Sequence, residues 1–447
     1  MPLGSGAFFA FLAAVFFVYW ASAGWRLPRL AIILLANYLF CARYGLFYLW
    51  LLPACSLADF LIGLGLARLN NPWLRRALLA ASISVNVGLL VASRHTGLVF
   101  PLGLSFYSLQ SLTYTFDIYR RDGEATVSLL QYLAAASFFP AIQAGPINRL
   151  TELAKHIGAA PVLSRVEGGR AFYLIGMGVL KKALIADYLA DNLINRVFDT
   201  PKLYSGAETL IAVYAYSLQL YYDFSGYTDI ARGAAMLLGI RMPINFDRPY
   251  LSTNITDFWR RWHLSFSNWL RDYIYFWLPG VRGKVMPYVN LVITMLLGGL
   301  WHGLTWTFAI WGVLHGTALA ATRGWWAWRG RTRSAPAWRR VLAIVGTYHF
   351  VCLTWIFFRA GSVGNALDIL GRIGSFTPGF ENITAVLALT IVAAAALLLV
   401  AKNWASRIEE SFSQAPFYVH AAALVLVTLA VWKIGGRADA PFVYSRF

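Results

Sequence analysis

The sequence predicts an all-α, polytopic membrane protein with about eleven transmembrane helices. Hydrophobic residues make up 59% of its 447 residues and charged residues only 13%, which is about half the charged share of a typical soluble domain. Apolar runs close to the roughly 20 residues that cross a bilayer recur along the chain. Examples lie at residues 6–24, 46–67, 383–401 and 419–432.

The net charge of +18 indicates contact with lipid and not with nucleic acid. Basic residues cluster in short loops between the apolar runs, which is the distribution that the positive-inside bias and anionic lipids favour. The cysteines Cys41, Cys55 and Cys352 lie in or beside apolar runs and lack metal-ligand spacing. We therefore predict membrane lipid as a partner, with no nucleic acid and no metal site.

The first apolar run is predicted to be an uncleaved span with its amino terminus outside. No Lys or Arg precedes it, as the basic start of a signal peptide requires, whereas Arg26 and Arg29 follow it. The same orientation places Arg75 and Arg121, with their basic neighbours, in inside loops. The loop charges therefore agree with one topology.

An apolar stretch at residues 127–147 is predicted not to cross the membrane. Basic residues flank it on both sides, Arg121 before and Arg149 after, so it should dip in and return or lie in the interface. Pro140 and Gly145 supply the breaks for such a path. Irregular backbone is tolerated at membrane depth only where it is buried in protein or lines a cavity. We therefore predict re-entrant and interfacial helices around a central cavity.

A second apolar stretch, residues 285–322, also has basic flanks and is predicted to form a hairpin. Its midpoint is the run Leu-Gly-Gly-Leu-Trp-His-Gly, residues 297–303, whose glycines suit a close backbone approach or a helix break. His302 would then be an ionisable side chain inside the membrane, which is a functional-site hypothesis by default. The alternative is a structural histidine whose ring is satisfied by a neighbouring carbonyl.

Residues 257–278 combine charge, aromatic rings and a histidine in an otherwise apolar chain. Asn254 is predicted to cap a helix with Asp257 in a capping-box position. Helical spacing then places His263, Ser267 and Arg271 on one polar stripe beside an aromatic one. Two interpretations stay open, an amphipathic helix in the membrane interface or a segment that binds an acyl donor. The aromatic stripe would consist of Trp262, Phe266, Trp269, Tyr273 and Phe276.

Carboxylates also occur within the apolar stretch at residues 221–233, where Asp223, Tyr227 and Asp229 lie close together in sequence. Buried carboxylates need partners. They are candidates for a binding site, or for a purely structural pairing with the arginines of residues 257–278.

These stretches resemble the membrane-bound O-acyltransferase (MBOAT) family, and within it the bacterial branch typified by the alginate O-acetylation membrane protein. The principal matches are residues 245–275, which include the run Trp-His-Leu-Ser-Phe-Ser, and residues 296–316, which include Leu-Trp-His-Gly. Further matches follow the family's order at residues 103–120, 138–147, 178–187, 221–231 and 441–447.

The resemblance implies a single membrane-embedded domain over residues 1–447 of a multi-pass protein of the bacterial cytoplasmic (inner) membrane. Residues 1–121 would be amino-terminal helices, residues 122–323 a catalytic core with re-entrant segments, and residues 324–447 carboxy-terminal helices. One departure is the run Phe-Trp-Leu-Pro-Gly-Val-Arg-Gly-Lys at residues 276–284, where the family usually has a Leu-Gly-Gly-Asn-Arg turn. This departure affects the expected acceptor or partner contacts and not the chemistry.

The family's paired histidines map onto His263 and His302, and the resemblance implies that His302 is catalytic. Removing a hydroxyl proton while a thioester carbonyl is attacked suits a histidine base, so we assign His302 as base and His263 as the residue that orients the donor or polarises its carbonyl. Trp301 would shape the pocket. Donor-binding candidates are Arg260, Arg261, Arg271, Trp301, Ser267, Asp223 and Tyr227.

The predicted function is transfer of an acyl group, acetyl in the favoured case, from a cytoplasmic thioester to a hydroxyl acceptor, or across the membrane to an extracytoplasmic transferase for polysaccharide O-acetylation. The donor would be acetyl-CoA or an acyl-carrier thioester, with no tightly bound cofactor. The alternatives are D-alanyl transfer from a carrier protein to an envelope polymer, and a transporter without acyl transfer. The acceptor, the donor and the oligomeric state stay open.

Overall fold

The computed structural model describes residues 3–95, 103–126, 128–143, 145–330 and 336–434. Every regular element in these ranges is a helix, which confirms the all-α prediction for the described part of the chain. The contacts divide the chain into two compact units. The first contains Met1–Val179, Tyr227–Pro243 and Arg407–Leu429, and the second Leu180–Gly226, Ile244–Ser406 and Ala430–Phe447. The prediction of one domain over residues 1–447 stays a prediction.

The first unit is built around a helix whose side chains are buried on every side. This helix, α5, buries each residue from Leu104 to Ile118, and α3, α4, α6 and α8 pack against it. A helix that is enclosed all round belongs in the core. The helices of this part of the chain are α1 Gly6–Ala21, α2 Arg26–Ala42, α3 Tyr48–Arg68, α4 Pro72–His95, α5 Leu104–Arg120, α6 Leu129–Ala136, α7 Phe139–Ile142, α8 Leu150–Gly158 and α9 Arg165–Leu180.

The second unit begins where α9 continues into two π-helical segments, Lys181–Asp187 and Ala190–Ile194. The helices that follow are α10 Asn195–Asp199, α11 Gly206–Leu237, α12 Ile255–Trp259, α13 Leu264–Tyr273, α14 Met286–His302, α15 Trp306–Arg329, α16 Ala337–Arg359, α17 Val363–Gly374, α18 Ala385–Leu399, α19 Lys402–Gln414 and α20 Phe417–Ile434. Of these, α11, α19 and α20 contribute residues to both units.

Fewer helices than predicted are long and apolar enough to cross a bilayer. Among the described residues, three single helices are long and apolar enough. The pair α18 and α19 forms a further candidate span that is bent by 93° at its break. The prediction of about eleven spans is therefore not confirmed. Several remaining apolar helices are shorter, and α11, although 32 residues long, contains Asp223, Asp229 and Arg232. The three helices are Tyr48–Arg68, Pro72–Val91 and Ala337–Arg359.

The predicted re-entrant stretch consists of two short helices, α6 of 8 residues and α7 of 4. The side chain of Asn37, which is fully buried, fills the break between them: it donates to the carbonyl of Ala134 at 2.9 Å and accepts from the amide of Phe139 at 2.8 Å. The broken backbone is thus satisfied inside the protein, as membrane depth requires. Pro140 lies in the first turn of α7, so it begins a helix and does not interrupt one. A small cavity of about 20 Å³ adjoins this stretch at Ile142 and Gln143.

We expect cysteines placed at Asp122 and Ala160 to react from the same side of the membrane. Both positions are exposed, and no helix between them approaches the roughly 20 residues of a bilayer span, since α6, α7 and α8 have 8, 4 and 9 residues. The measurement is labelling with an impermeant maleimide in sealed vesicles, after the native cysteines are replaced. Leu46→Cys, which the predicted topology places outside, is the control for the other side. Labelling of the two positions from opposite sides would show that the stretch crosses.

Candidate functional site

His302 is the last residue of α14, at the tip of a close-packed antiparallel hairpin with α15. Glycines bring the two backbones together: a Cβ on Gly316 would lie 2.6 Å from the Cα of Val292, and one on Gly312 would lie 2.9 Å from the Cα of Leu296. No larger residue fits at either position without separating the helices. The predicted hairpin is confirmed, and its tip is where the sequence placed it. Of the glycines predicted to allow a close backbone approach, Gly299 does so, because a Cβ there would clash with the carbonyl of Phe308 on α15.

Aromatic rings surround the imidazole of His302, which is only 6% exposed. The ring of Phe358 lies edge-on with its centroid at 4.9 Å, and the ring of Phe308 stacks at 5.9 Å. Such packing fixes the orientation of the side chain and keeps bulk water from most of it. The five neighbouring rings belong to Phe266, Trp301, Phe308, Trp311 and Phe358.

His263 lies in a break between α12 and α13, in a left-handed conformation with φ of 43°. The prediction of one continuous helix after Asn254, with His263 on its polar stripe, is therefore wrong. The predicted start is confirmed, because Asn254 accepts from the amide of Asp257 at 2.9 Å. The break is caused by a residue outside the segment, Asn245, which caps α13. The backbone carbonyl of Asn245 accepts from the amide of Leu264 at 3.0 Å, and its side-chain Oδ1 accepts from the amide of Ser265 at 3.2 Å.

Asn245 also fixes the tautomer of His263. Since the Oδ1 of Asn245 accepts from Ser265, the amide oxygen must also be the atom that faces the imidazole, and an amide oxygen only accepts. The Nδ1–H of His263 therefore donates to Asn245 Oδ1 at 3.1 Å. In the neutral ring, Nε2 then bears the lone pair.

Phe266 connects the two histidines. Its ring stacks on His263 at 5.1 Å with an interplanar angle of 27° and contacts His302 at 5.7 Å. It also packs on Trp301 at 4.7 Å. The ring of Phe224, on α11, lies edge-on to His263 with its centroid at 4.6 Å. All five residues belong to the second unit. The structure thus brings His263, His302 and Trp301 into one aromatic cluster.

The predicted donor-binding arginines differ in their surroundings. Arg261 pairs with Asp257 at 2.9 Å, and Arg271 pairs with Asp272 at 2.8 Å. Arg260 is exposed and has no ion pair among the described residues. Ser267, also predicted as a donor contact, donates its hydroxyl to the carbonyl of Trp262 at 3.0 Å. Arg260 is therefore the arginine whose charge is most available to a ligand.

Asp223 is buried in an ion pair with Lys182 at 2.9 Å, and Lys182 also contacts Asp187 at 2.6 Å. The suggested pairing of Asp223 or Asp229 with arginines of residues 257–278 is wrong, because Asp223 pairs with Lys182 and Asp229 lies 3.6 Å from Arg232. Lys182 belongs to the π-helical segment Lys181–Asp187, a distortion that is frequent at functional sites. Tyr227, one turn beyond Asp223 on α11, is buried.

His315 is a structural histidine. Its Nδ1 accepts from the indole of Trp259 at 3.3 Å, and its Nε2 lies 2.9 Å from the hydroxyl of Thr354. Because that hydroxyl already donates to the carbonyl of Val351 at 2.8 Å, Nε2 must be the donor. Both nitrogens are engaged, and the ring is fully buried.

Sequence reasoning missed two residues of the site, Lys182 and Asn245. Lys182 had a local signal, since a lysine pair stands in an apolar run at residues 178–187. Asn245 had none, because the helix that it caps begins nearly 20 residues further along the chain.

Comparison with known proteins gives consistent matches. The sequence model of the MBOAT, membrane-bound O-acyltransferase family matches residues 78–359. The chain is 41% identical over 283 residues to a probable alginate O-acetylase of Azotobacter vinelandii, covering 63% of this chain but only 55% of that protein. It is 36% identical to the corresponding protein of Pseudomonas fluorescens, covering 84% of this chain and 76% of the relative. A peptidoglycan O-acetyltransferase of Helicobacter pylori is 32% identical, covering 82% of this chain and 78% of that protein.

Proposed function

The chain belongs to the membrane-bound O-acyltransferase family, and we propose that it moves an acyl group, acetyl in the favoured case, from a cytoplasmic thioester donor towards a polysaccharide hydroxyl outside. Membership makes it an O-acyltransferase by class, and its apolar helices make it a multi-pass membrane protein. The bacterial cytoplasmic membrane is the proposed location. The acyl group would reach the acceptor directly or through a separate extracytoplasmic transferase.

The observation that supports this function most strongly is the placement of His302. It stands at the tip of the glycine-packed hairpin, enclosed by aromatic rings and joined to His263 through Phe266. A reaction that passes through a charged intermediate benefits from such a fixed, water-poor surrounding.

In the proposed reaction, the imidazole of His302 takes the proton of the acceptor hydroxyl as its oxygen attacks the thioester carbonyl. The tetrahedral intermediate collapses by breaking the carbon–sulfur bond, and the protonated imidazole returns its proton to the leaving thiolate. An ester and a free thiol result, and the histidine is regenerated. No covalent enzyme intermediate is needed.

His263 is proposed to orient the donor. The Nδ1–H of His263 is committed to Asn245, so the neutral ring has no second N–H that could donate to the thioester carbonyl. Polarising the carbonyl would require a second proton on the ring, so the geometry favours the orienting role over the polarising one.

The names of the relatives support an envelope polysaccharide as the acceptor. The Azotobacter and Pseudomonas proteins are probable alginate O-acetylases and the Helicobacter protein a peptidoglycan O-acetyltransferase. All three names describe acetyl transfer to the hydroxyls of a glycan. We therefore propose acetyl as the group and a glycan as the final acceptor, with acetyl-CoA or an acyl carrier as donor.

Reconstitution in sealed vesicles tests this function. Acetyl-CoA labelled in its acetyl group is supplied on the cytoplasmic side. A soluble glycan acceptor is supplied on the other side, together with its transferase where one is required. We expect the amount of free thiol released to equal the amount of ester formed. Vesicles containing the His302→Gln variant are the matched blank. Appearance of intact donor outside with no ester formed would establish a transporter, and alanyl ester formed from a carrier-bound donor would establish the D-alanyl alternative.

We expect Arg260→Gln to raise the KM for the thioester donor by about 10-fold or more, with little change in kcat. The reason is that a charge-assisted hydrogen bond to phosphate or carboxylate contributes about 1.5–3 kcal/mol, and Arg260 is exposed and outside the ion pairs of its segment. Arg261→Gln and Arg271→Gln should have smaller effects because both guanidinium groups already pair with carboxylates. Initial-rate kinetics measure the difference. An unchanged KM in the Arg260 variant would remove this residue from the donor site.

A further inference from the structure

An open groove lies in the first unit where α3, α4 and α5 come together. We propose that this groove, here called the basic groove, binds the phosphate of an anionic phospholipid headgroup. The polar residues that line it are Arg68, Asn70, Arg75, Arg121 and Glu124. This inference concerns a site separate from the histidine cluster and does not depend on the acyl-transfer reaction.

The position of the basic groove places it at a membrane surface. Two of the helices that are long and apolar enough to cross a bilayer, α3 and α4, meet at the short connection of residues 69–71, so their shared end reaches the headgroup region. Trp73, at the start of α4, is 73% exposed, and Arg76 lies 5.3 Å from its ring. Exposed tryptophans next to arginines are typical of this depth.

The floor of the groove is a fixed positive charge. Arg75 is only 7% exposed. Its guanidinium donates to the carbonyl of Leu66 in the last turn of α3, to that of Leu69 just after α3 at 3.2 Å, and to that of Tyr119 at the end of α5 at 2.6 Å. Neutral carbonyls hold the guanidinium in place but do not cancel its charge. The carboxy-terminal end of a helix carries a partial negative charge and therefore also favours a cation.

The walls add two more positive charges that no carboxylate neutralises among the described residues. Arg68 is exposed and makes no ion pair there. Arg121, held in a left-handed conformation with φ of 66°, donates to the neutral side-chain oxygen of Asn70 at 3.3 Å. Glu124 is the carboxylate among the lining residues, so positive charge prevails. Guanidinium groups form paired hydrogen bonds with phosphate oxygens, so the ligand that we propose is a phosphate diester.

The apolar surroundings favour a lipid over a soluble phosphate. Leu64 lines the groove along α3, and Leu74 is half exposed beside Trp73. These side chains give acyl chains a surface that leads from the headgroup into the bilayer. Coenzyme A offers the same phosphate chemistry without acyl chains in the membrane, so competition between the two distinguishes them.

The test is native mass spectrometry of the purified full chain, titrated with phosphatidylglycerol and with phosphatidylcholine of the same acyl chains. We expect wild-type protein to prefer phosphatidylglycerol and Arg68→Gln/Arg121→Gln to lose that preference by about 10-fold or more. Arg339→Gln is the matched control, because Arg339 is also an exposed arginine near the start of a candidate span, 5.1 Å from the ring of Trp338. It should keep the preference.

If the double variant does not fold, the single variant Arg68→Gln is used in the same lipid titration. It should fold, because the side chain of Arg68 is exposed and makes no ion pair among the described residues. Equal lipid preference in the wild type and in the folded variants would overturn the proposal. So would displacement of bound phosphatidylglycerol by coenzyme A from both the wild type and Arg339→Gln, since that result assigns the groove to the soluble phosphate.

Discussion

Replacing His302 with Gln is expected to lower kcat by at least about 100-fold, the low end of the contribution that a general base makes. Glutamine keeps much of the size and polarity of the side chain but cannot take the acceptor proton. The imidazole stands at the end of α14, and its neighbours are aromatic rings whose contacts depend on shape. The melting temperature and the donor affinity should therefore change little, because the lost interaction is one made in the transition state.

His315→Gln is the control for this prediction and should show the opposite pattern. Both nitrogens of His315 form hydrogen bonds, with Trp259 and Thr354, and the ring is fully buried. The variant should melt earlier because it leaves a buried partner unsatisfied, yet retain most activity per folded molecule. Ester formation and thermal melting measured on the same preparations separate the two patterns. A His302→Gln enzyme with wild-type melting and near wild-type turnover would contradict the assignment of the base.

The sequence predicted those features that depend on neighbours in the chain. The cap at Asn254, the hairpin of residues 285–322 and the position of His302 at its tip follow from residues within one or two turns of each other. The absence of a full-length helix in residues 127–147 belongs with them, because the basic flanks are local signals, whereas the break itself is held by the distant Asn37. In the same way, the hydrophobic composition and the recurring apolar runs of roughly 20 residues predicted an all-α membrane fold.

What the sequence did not predict depends on contacts between distant segments. The aromatic and polar spacing of residues 257–278 fits one helix, but Asn245 holds His263 in a left-handed turn and ends that helix. The sequence analysis predicted that the arginines of residues 257–278 could be partners of Asp223, whereas the structure pairs Asp223 with Lys182 of a π-helical segment. Tertiary hydrogen bonds and ion pairs outweigh local propensity at both places.

The ion pair of Lys182 and Asp223 also bears on the histidine cluster. Asp223 precedes Phe224, whose ring lies edge-on to His263 at 4.6 Å. The pair joins the π-helical segment to α11 at this point. A loss of the pair is therefore expected to disturb both the stability of the second unit and the position of His263.

Lys182→Met is expected to destabilise the protein by about 3–5 kcal/mol, because it leaves the carboxylates of Asp223 and Asp187 without their counter-ion in the interior. Asp223 is fully buried and the side chain of Lys182 is 8% exposed. Lys202→Met is the matched control, since Lys202 pairs with Asp368 at 3.2 Å on the surface, with side chains 77% and 46% exposed. Lys202→Met should lower the free energy of unfolding by less than about 1 kcal/mol. Denaturation in a fixed detergent measures both.

A second substitution distinguishes an ion pair from simple loss of packing. If the buried charge of Asp223 is what destabilises Lys182→Met, then removing that charge as well, in Lys182→Met/Asp223→Leu, should recover part of the lost stability, because an apolar pair replaces a broken ionic one. Asp223→Asn in the wild-type background tests the donor-binding role suggested for this residue. A structural counter-ion predicts lower stability with an unchanged KM for donor, whereas a donor contact predicts a raised KM at unchanged stability. Equal melting of the Lys182 and Lys202 variants would show that the buried pair does not stabilise the second unit.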